Sequence, residues 1–164
     1  MDSISLPSGW IAGEYETNPS NTPPPESSDP ARINLYGLTE GATAWRLYSI
    51  PAETPLAEIA RFFKVGSHAE TSYGRDPVEE VARVASTVTL IQEFIPCRVT
   101  YAGPAGMDLN FLRQITQEEV EQLEQLFLAN GMDPGMDRYI AEWSGEGPMF
   151  APVLQENVLE LWWD

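Results

Sequence analysis

Apolar side chains along this chain recur in two rhythms, and their punctuation marks the expected elements. Leu56, Ile59 and Phe63 fall at helical spacing behind Thr54, which can cap a helix, and Pro55, which suits a first helical position. A helix is therefore expected over residues 54–66. Asp76-Pro77-Val78-Glu79 repeats the start signal, with Asp76 as cap and Glu79 placed to reach back to it, and Val78, Val81, Ala82 and Ala85 then line one face. The β-branched stretch Ser86-Thr87-Val88-Thr89-Leu90 resists helix formation, but Pro96 is the first firm stop, and the reading favours continuation to Phe94. A third helix opens at the capping box Thr116-Gln117-Glu118-Glu119, turns Val120, Leu123, Leu126 and Phe127 inward, and meets Gly131 beyond its end.

Strand-like composition occurs over residues 32–36 and 44–50, joined by the loop Gly37-Leu38-Thr39-Glu40-Gly41, which together predict a two-stranded ribbon. Residues 98–102 read as a further strand closed by Gly103-Pro104-Ala105-Gly106, and residues 158–163 as a last one. Near the N-terminus residues 9–15 suit a short strand, with Trp10 and Tyr15 available to dock on the main body or on a neighbour. Residues 67–75 are polar and read as a loop, while residues 136–143 fit a short helix or strand. Gly-Met-Asp occurs at Gly106, Gly131 and Gly135, at unequal spacings that suit turns rather than a structural repeat.

Helices and strands mix without a regular βαβ rhythm, which predicts an α+β fold. The expectation is a single small domain with a short, mostly antiparallel sheet and about three main helices. Asn18-Pro19-Ser20-Asn21-Thr22-Pro23-Pro24-Pro25-Glu26-Ser27-Ser28-Asp29-Pro30 holds too many prolines for an internal helix or strand. Residues 1–30 are thus expected as an extended arm or linker with one short strand, and residues 31–164 as the domain.

Composition restricts what such a domain can bind. Twenty-five acidic residues oppose nine basic ones, a formal charge of -16 over 164 residues. That field repels nucleic acid and anionic membranes and attracts cationic partners. It is uneven: nine acids face five bases up to Arg75, and sixteen face four from Asp76 onward. No apolar run approaches the length of a membrane span, the start lacks the basic region of a secretory signal, and a single Cys97 excludes an internal disulfide. A cytoplasmic setting is expected, or a virion if the chain is an assembly subunit.

Catalytic and metal signatures are weak. His68 and Cys97 could meet in space as a nucleophile pair, but nothing local supports it. Asp108, Asp133 and Asp137 offer oxygen ligands, yet Gly131-Met132-Asp133-Pro134-Gly135-Met136-Asp137 lacks the pattern of an EF-hand loop. Leu56-Ala57-Glu58-Ile59-Ala60-Arg61-Phe62-Phe63 has the cadence of a first helix in a helix-turn-helix, but no basic second helix follows. No cofactor or metal is expected. What stands out is an acidic surface, with Glu118, Glu121 and Glu124 on the outer side of the third helix and Asp133, Asp137 and Glu142 close behind it. Trp162 and Trp163 give the C-terminus a second handle, either tucked into the core or anchoring a partner.

These features favour a non-enzymatic acidic module that blocks or docks on a basic, nucleic-acid-handling protein, as an immunity protein, an anti-defence inhibitor or another nucleic-acid mimic would. The expected interface residues are Glu118, Glu121, Glu124, Asp133, Asp137, Glu142, Trp162 and Trp163. Direct binding to nucleic acid or membrane is not expected, and a homo-oligomer is compatible with the chain. The alternative is a structural subunit of a virion or large complex that clasps neighbouring subunits with its N-terminal arm. A small hydrolase using a carboxylate pair ranks third.

Overall fold

A computed structural model describes residues 5–16, 23–68, 76–130, 145 and 150–162. It shows an α+β domain built on one mixed sheet of six strands. In chain order the elements are β1 (Ile11–Glu16), β2 (Arg32–Gly37), β3 (Trp45–Pro51), α1 (Leu56–Phe62), α2 (Pro77–Phe94), β4 (Cys97–Gly103), β5 (Gly106–Phe111), α3 (Gln117–Ala129), α4 (Ala151–Glu156) and β6 (Val158–Trp162). Spatially the strands run β1-β3-β2-β4-β5-β6. Two antiparallel halves, β1-β3-β2 and β4-β5-β6, meet at the single parallel pair β2–β4.

Strand register decides which side chains enter the core. Ile33 lies opposite Ile50 and Leu35 opposite Tyr48, while Val99, Leu109 and Leu159 form one row and Ala102, Met107 and Leu161 another. Period-two alternation puts all of these on one face, with a bulge between Val99 and Tyr101 bringing Ala102 to the side of Val99. They join Leu56, Ile59, Val84, Val88, Ile91, Val120, Leu123 and Phe127 of the helices in one continuous core. Phe127 meets Phe150 edge to face at 5.1 Å between ring centroids, fixing α3 against the entry to α4.

Residues before the proline-rich stretch take part in this core. β1 pairs with β3, and Trp10 is only 6% exposed, with its ring 4.9 Å from Phe62 and 6.0 Å from Phe63. Two arginines staple the strand in place: Arg46 Nε donates to Gly13 O at 2.7 Å, and Arg32 Nη2 donates to Gly9 O. Arg46 also lies 4.7 Å from the centre of the Tyr15 ring.

Several expectations are met and others move. The ribbon of residues 32–50 is the β2–β3 pair, the helix from Pro77 does run to Phe94, and β6 forms at the C-terminus. The β-branched residues are accommodated because Thr87 and Thr89 donate their hydroxyls to Arg83 O and Ala85 O, one turn back. Thr54 is not the cap of α1. Its hydroxyl donates to Pro51 O, Pro55 holds the cap position, and the free Leu56 N–H is taken by Gln92 Oε1 from α2. α1 also stops at Phe62, short of residue 66, because Lys64 and Gly66 adopt positive φ.

The buried stripe of α2 is only partly the expected one. Ala85 is buried and Val81 half-buried, but Val78 is 76% exposed and Ala82 is exposed, whereas Glu80, Val84, Thr87, Val88 and Ile91 also face inward. The stripe begins with a buried carboxylate, bonded to Arg83, and a search for apolar residues alone starts one step out of phase. Finally, Gly106-Met107-Asp108 is not a turn but the start of β5. A Cβ at Gly106 would sit 2.1 Å from Leu161 O, so glycine is what lets β5 and β6 approach there. Of the other sequence readings, residues 69–75, 136–143 and the second and third Gly-Met-Asp triplets lie outside the described residues.

Because Trp10 fills a pocket between β3 and α1, Trp10→Ala is expected to cost about 3 kcal/mol of unfolding free energy, read from the urea midpoint at unchanged slope. A change below about 0.5 kcal/mol, the scale of a surface substitution, would show that the N-terminal strand does not belong to the cooperative core.

Candidate functional site

The third helix carries the first candidate surface. Its capping box forms in full: Glu119 N–H donates to Thr116 Oγ1 at 3.2 Å and Thr116 N–H donates to Glu119 Oε1 at 2.9 Å. Arg113 adds a two-pronged ion pair to the same carboxylate, at 2.9 Å to Oε1 and 2.6 Å to Oε2, which the sequence reading missed because the partners lie on either side of the cap. The Arg113 hydrogen bonds and then the cap backbone hold the Glu119 carboxyl well below its ordinary value of 4.5, at about 2.

With Val120, Leu123 and Phe127 buried, helical spacing turns Glu118, Glu121, Gln125 and Leu128 to the opposite side. Glu118 and Glu121 are exposed, as expected, and Leu128 is 58% exposed. Glu124 is half-buried, because it sits at the border of that strip. No Lys or Arg occurs in α3, so the strip is purely anionic with an apolar end.

Other expected site residues are placed differently. Trp162 is half-buried on its own sheet: its Nε1 donates to Asp108 Oδ1 at 2.7 Å and its ring lies 6.4 Å from that of Trp45. Asp133, Asp137, Glu142 and Trp163 lie outside the described residues. Cys97 and His68 are not brought together. His68 N–H donates to Pro104 O just past the far end of β4, while Cys97 opens that strand, a separation of roughly 20 Å along the extended chain. Burial pushes the Cys97 thiol up to about 12. Among the described residues no three or more His, Cys, Asp or Glu side chains are gathered to hold a metal ion, and no helix is long and apolar enough to cross a membrane.

A second site was not visible in the sequence at all. β2 and β4 form ladder pairs only at Tyr36 with Tyr101 and Gly37 with Ala102, so their N-terminal halves splay apart. A cleft of about 580 Å³ opens there. Arg98, Thr100 and Asn34 line it from the outer side of the sheet, and Leu56 and Gln92 from the helix side, so it reaches through the gap between the strands. The proline-rich residues from Pro23 to Pro30 form one wall, tied down where Asn34 Nδ2 donates to Pro25 O at 2.7 Å.

No protein-family model, curated protein or solved structure matches this chain. Function has to be read from its own residues.

Two titrations test this geometry. The folded pKa of Glu119 lies below its unfolded value, so its stabilisation is complete above about 4.5 and disappears as pH falls toward about 2. Wild type should therefore melt higher than Glu119→Gln at neutral pH, with the gap closing over that window; a gap that persists at pH 2 would refute the assignment. Cys97, protonated at ordinary pH, should react with iodoacetamide at pH 8 at least tenfold more slowly in the native chain than in urea. Equal rates would mean that the thiol is not buried as described.

Proposed function

We propose that the protein is a non-enzymatic binding module that docks through the outer strip of α3 on a basic partner whose own ligand is nucleic acid, in the manner of an immunity or anti-defence inhibitor. The observation that carries this reading is the combination of Glu118 and Glu121, exposed with no cation on their helix, and Leu128, exposed at the end of the same strip. Carboxylates at that spacing suit a groove built for phosphates, and the overall charge of -16 steers a cationic surface toward them. Leu128 supplies the apolar contact that long-range attraction lacks. The capping box and the Arg113 pair support the same reading, because a helix held in shape before binding loses little conformational freedom on docking.

Asp133, Asp137 and Glu142 are proposed as further contacts, and the partner is then a basic protein rather than nucleic acid or membrane. A second reading, an assembly subunit, draws on β1. This edge strand leaves Ile11 and Tyr15 more than half exposed, a surface that a neighbouring subunit could cover.

The test is capture of a partner by the immobilised full chain from its native source, with wild type beside the double variant Glu118→Lys, Glu121→Lys. Both positions are exposed, so the melting temperature should hardly move, while capture should fall at least tenfold. It should fall likewise for wild type in about 0.5 M salt, where the field is screened within a few Å. A partner retained equally by the variant and in high salt would overturn the reading, and retention that depends instead on Ile11 would favour assembly.

A further inference from the structure

We propose that the cleft between the splayed halves of β2 and β4 binds a small hydrocarbon monocarboxylate, with the carboxylate on Arg98 and the apolar body against Ile33 and Leu112.

Arg98 sets the polar end. Arg32, Arg46, Lys64, Arg83 and Arg113 are each tied to a carbonyl, hydroxyl or carboxylate within the molecule. Arg98 is exposed, lines the cleft and makes no hydrogen bond or ion pair to any described residue. In a chain with sixteen excess negative charges, an arginine in a cleft that no described carboxylate bonds is available to an external one. Its surroundings add a second donor. Asn110 lies opposite Arg98 in the β4–β5 pair and donates from Nδ2 to Thr100 Oγ1 at 2.7 Å, which leaves the Thr100 O–H free to donate in turn. A carboxylate between Arg98 and Thr100 thus meets a planar fork and a hydroxyl.

The remaining walls set the body of the ligand. Leu112 follows Asn110 on the same outer face and is 55% exposed, a large apolar side chain with nothing to cover it from solvent at the mouth of the cleft. The half-buried Ile33 continues the apolar surface inward, and the proline wall lies across from it. At about 580 Å³ the space is that of a small-molecule site, too small for a folded partner. Charge limits the ligand to one anionic group. Glu26 and Asp29 of the proline wall line the same cleft, and Asp29 Oδ1 is partly satisfied by Ala31 N–H. A second anionic end would be opposed by them, so dianions and phosphate chains fit poorly. This site is separate from the α3 strip, and neither reading depends on the other.

The test is titration of the isotope-labelled full chain, followed by backbone NMR, with octanoate, its neutral analogue octanamide and inorganic phosphate. Octanoate should give saturable shifts confined to Ile33, Arg98, Thr100, Asn110 and Leu112. Octanamide and phosphate should bind at least tenfold more weakly. Arg98→Gln should weaken octanoate at least tenfold at unchanged melting temperature, and Arg98→Lys should fall between, keeping the charge but losing the fork. Leu112→Glu, equally exposed, should abolish binding by setting a carboxylate against the tail. Octanamide binding as well as octanoate, indifference to Arg98→Gln or Leu112→Glu, or shifts centred elsewhere would overturn the proposal.

Discussion

Everything in this molecule hangs on one short parallel junction, the two ladder pairs by which β2 meets β4. Each half-sheet on its own has three strands, one of which would expose an apolar face without the other half and its helices. The junction is tight for a steric reason: a Cβ at Gly37 would sit 2.3 Å from Phe63 Cε1 and 2.9 Å from Tyr48, so only glycine lets β2 lie under the aromatic cluster. Leu38 N–H then donates to Ala102 O at 2.9 Å and carries the pairing one residue further. At the opposite end no such pairs form, and the strands diverge. The same constraint that joins the halves also opens the cleft.

A second knot ties the C-terminal elements to the sheet. Asn157 takes a left-handed backbone (φ 59) between α4 and β6, a conformation that asparagine tolerates better than most residues. From there its amide donates to Phe111 O and Arg113 O, and its Oδ1 accepts from Ile115 N–H. One side chain therefore satisfies three backbone groups at the β5–α3 connection. α3 is placed by this knot and by its own cap, which is why its outer strip has a defined direction.

How much of this could be read from the chain depended on whether the signal was local. Thr116 and Glu119 form a box within one turn, and β2 and β3 pair across the short loop of residues 38–44, so both were legible. Asp76 was legible as a cap too, bonding Val78 N–H at 3.0 Å. β5 was not, because Gly106-Met107-Asp108 has turn composition and becomes a strand only when β6 arrives more than fifty residues later to pair with it. The face of α2 was misread in part for a related reason: its inward side starts with Glu80, a carboxylate that its bond to Arg83 helps to keep there. The acidic strip was half legible, since exposure of Glu118 and Glu121 follows from helical spacing but the half-burial of Glu124 does not. The cleft left no trace in composition, being produced by the divergence of two strands sixty residues apart in sequence.

Charge placement connects these pieces. Four of the described cations act as internal staples: Arg32 and Arg46 hold β1 to β3, Arg83 pairs with the buried Glu80, and Arg113 braces the cap of α3. Arg98 differs from these four. It sits where the sheet splits and fixes no neighbouring element, so stability gives no reason for its placement. A cation that bonds no described neighbour, in a cleft of mixed walls with Ile33 and Leu112 beside it, is what the proposed carboxylate site would use.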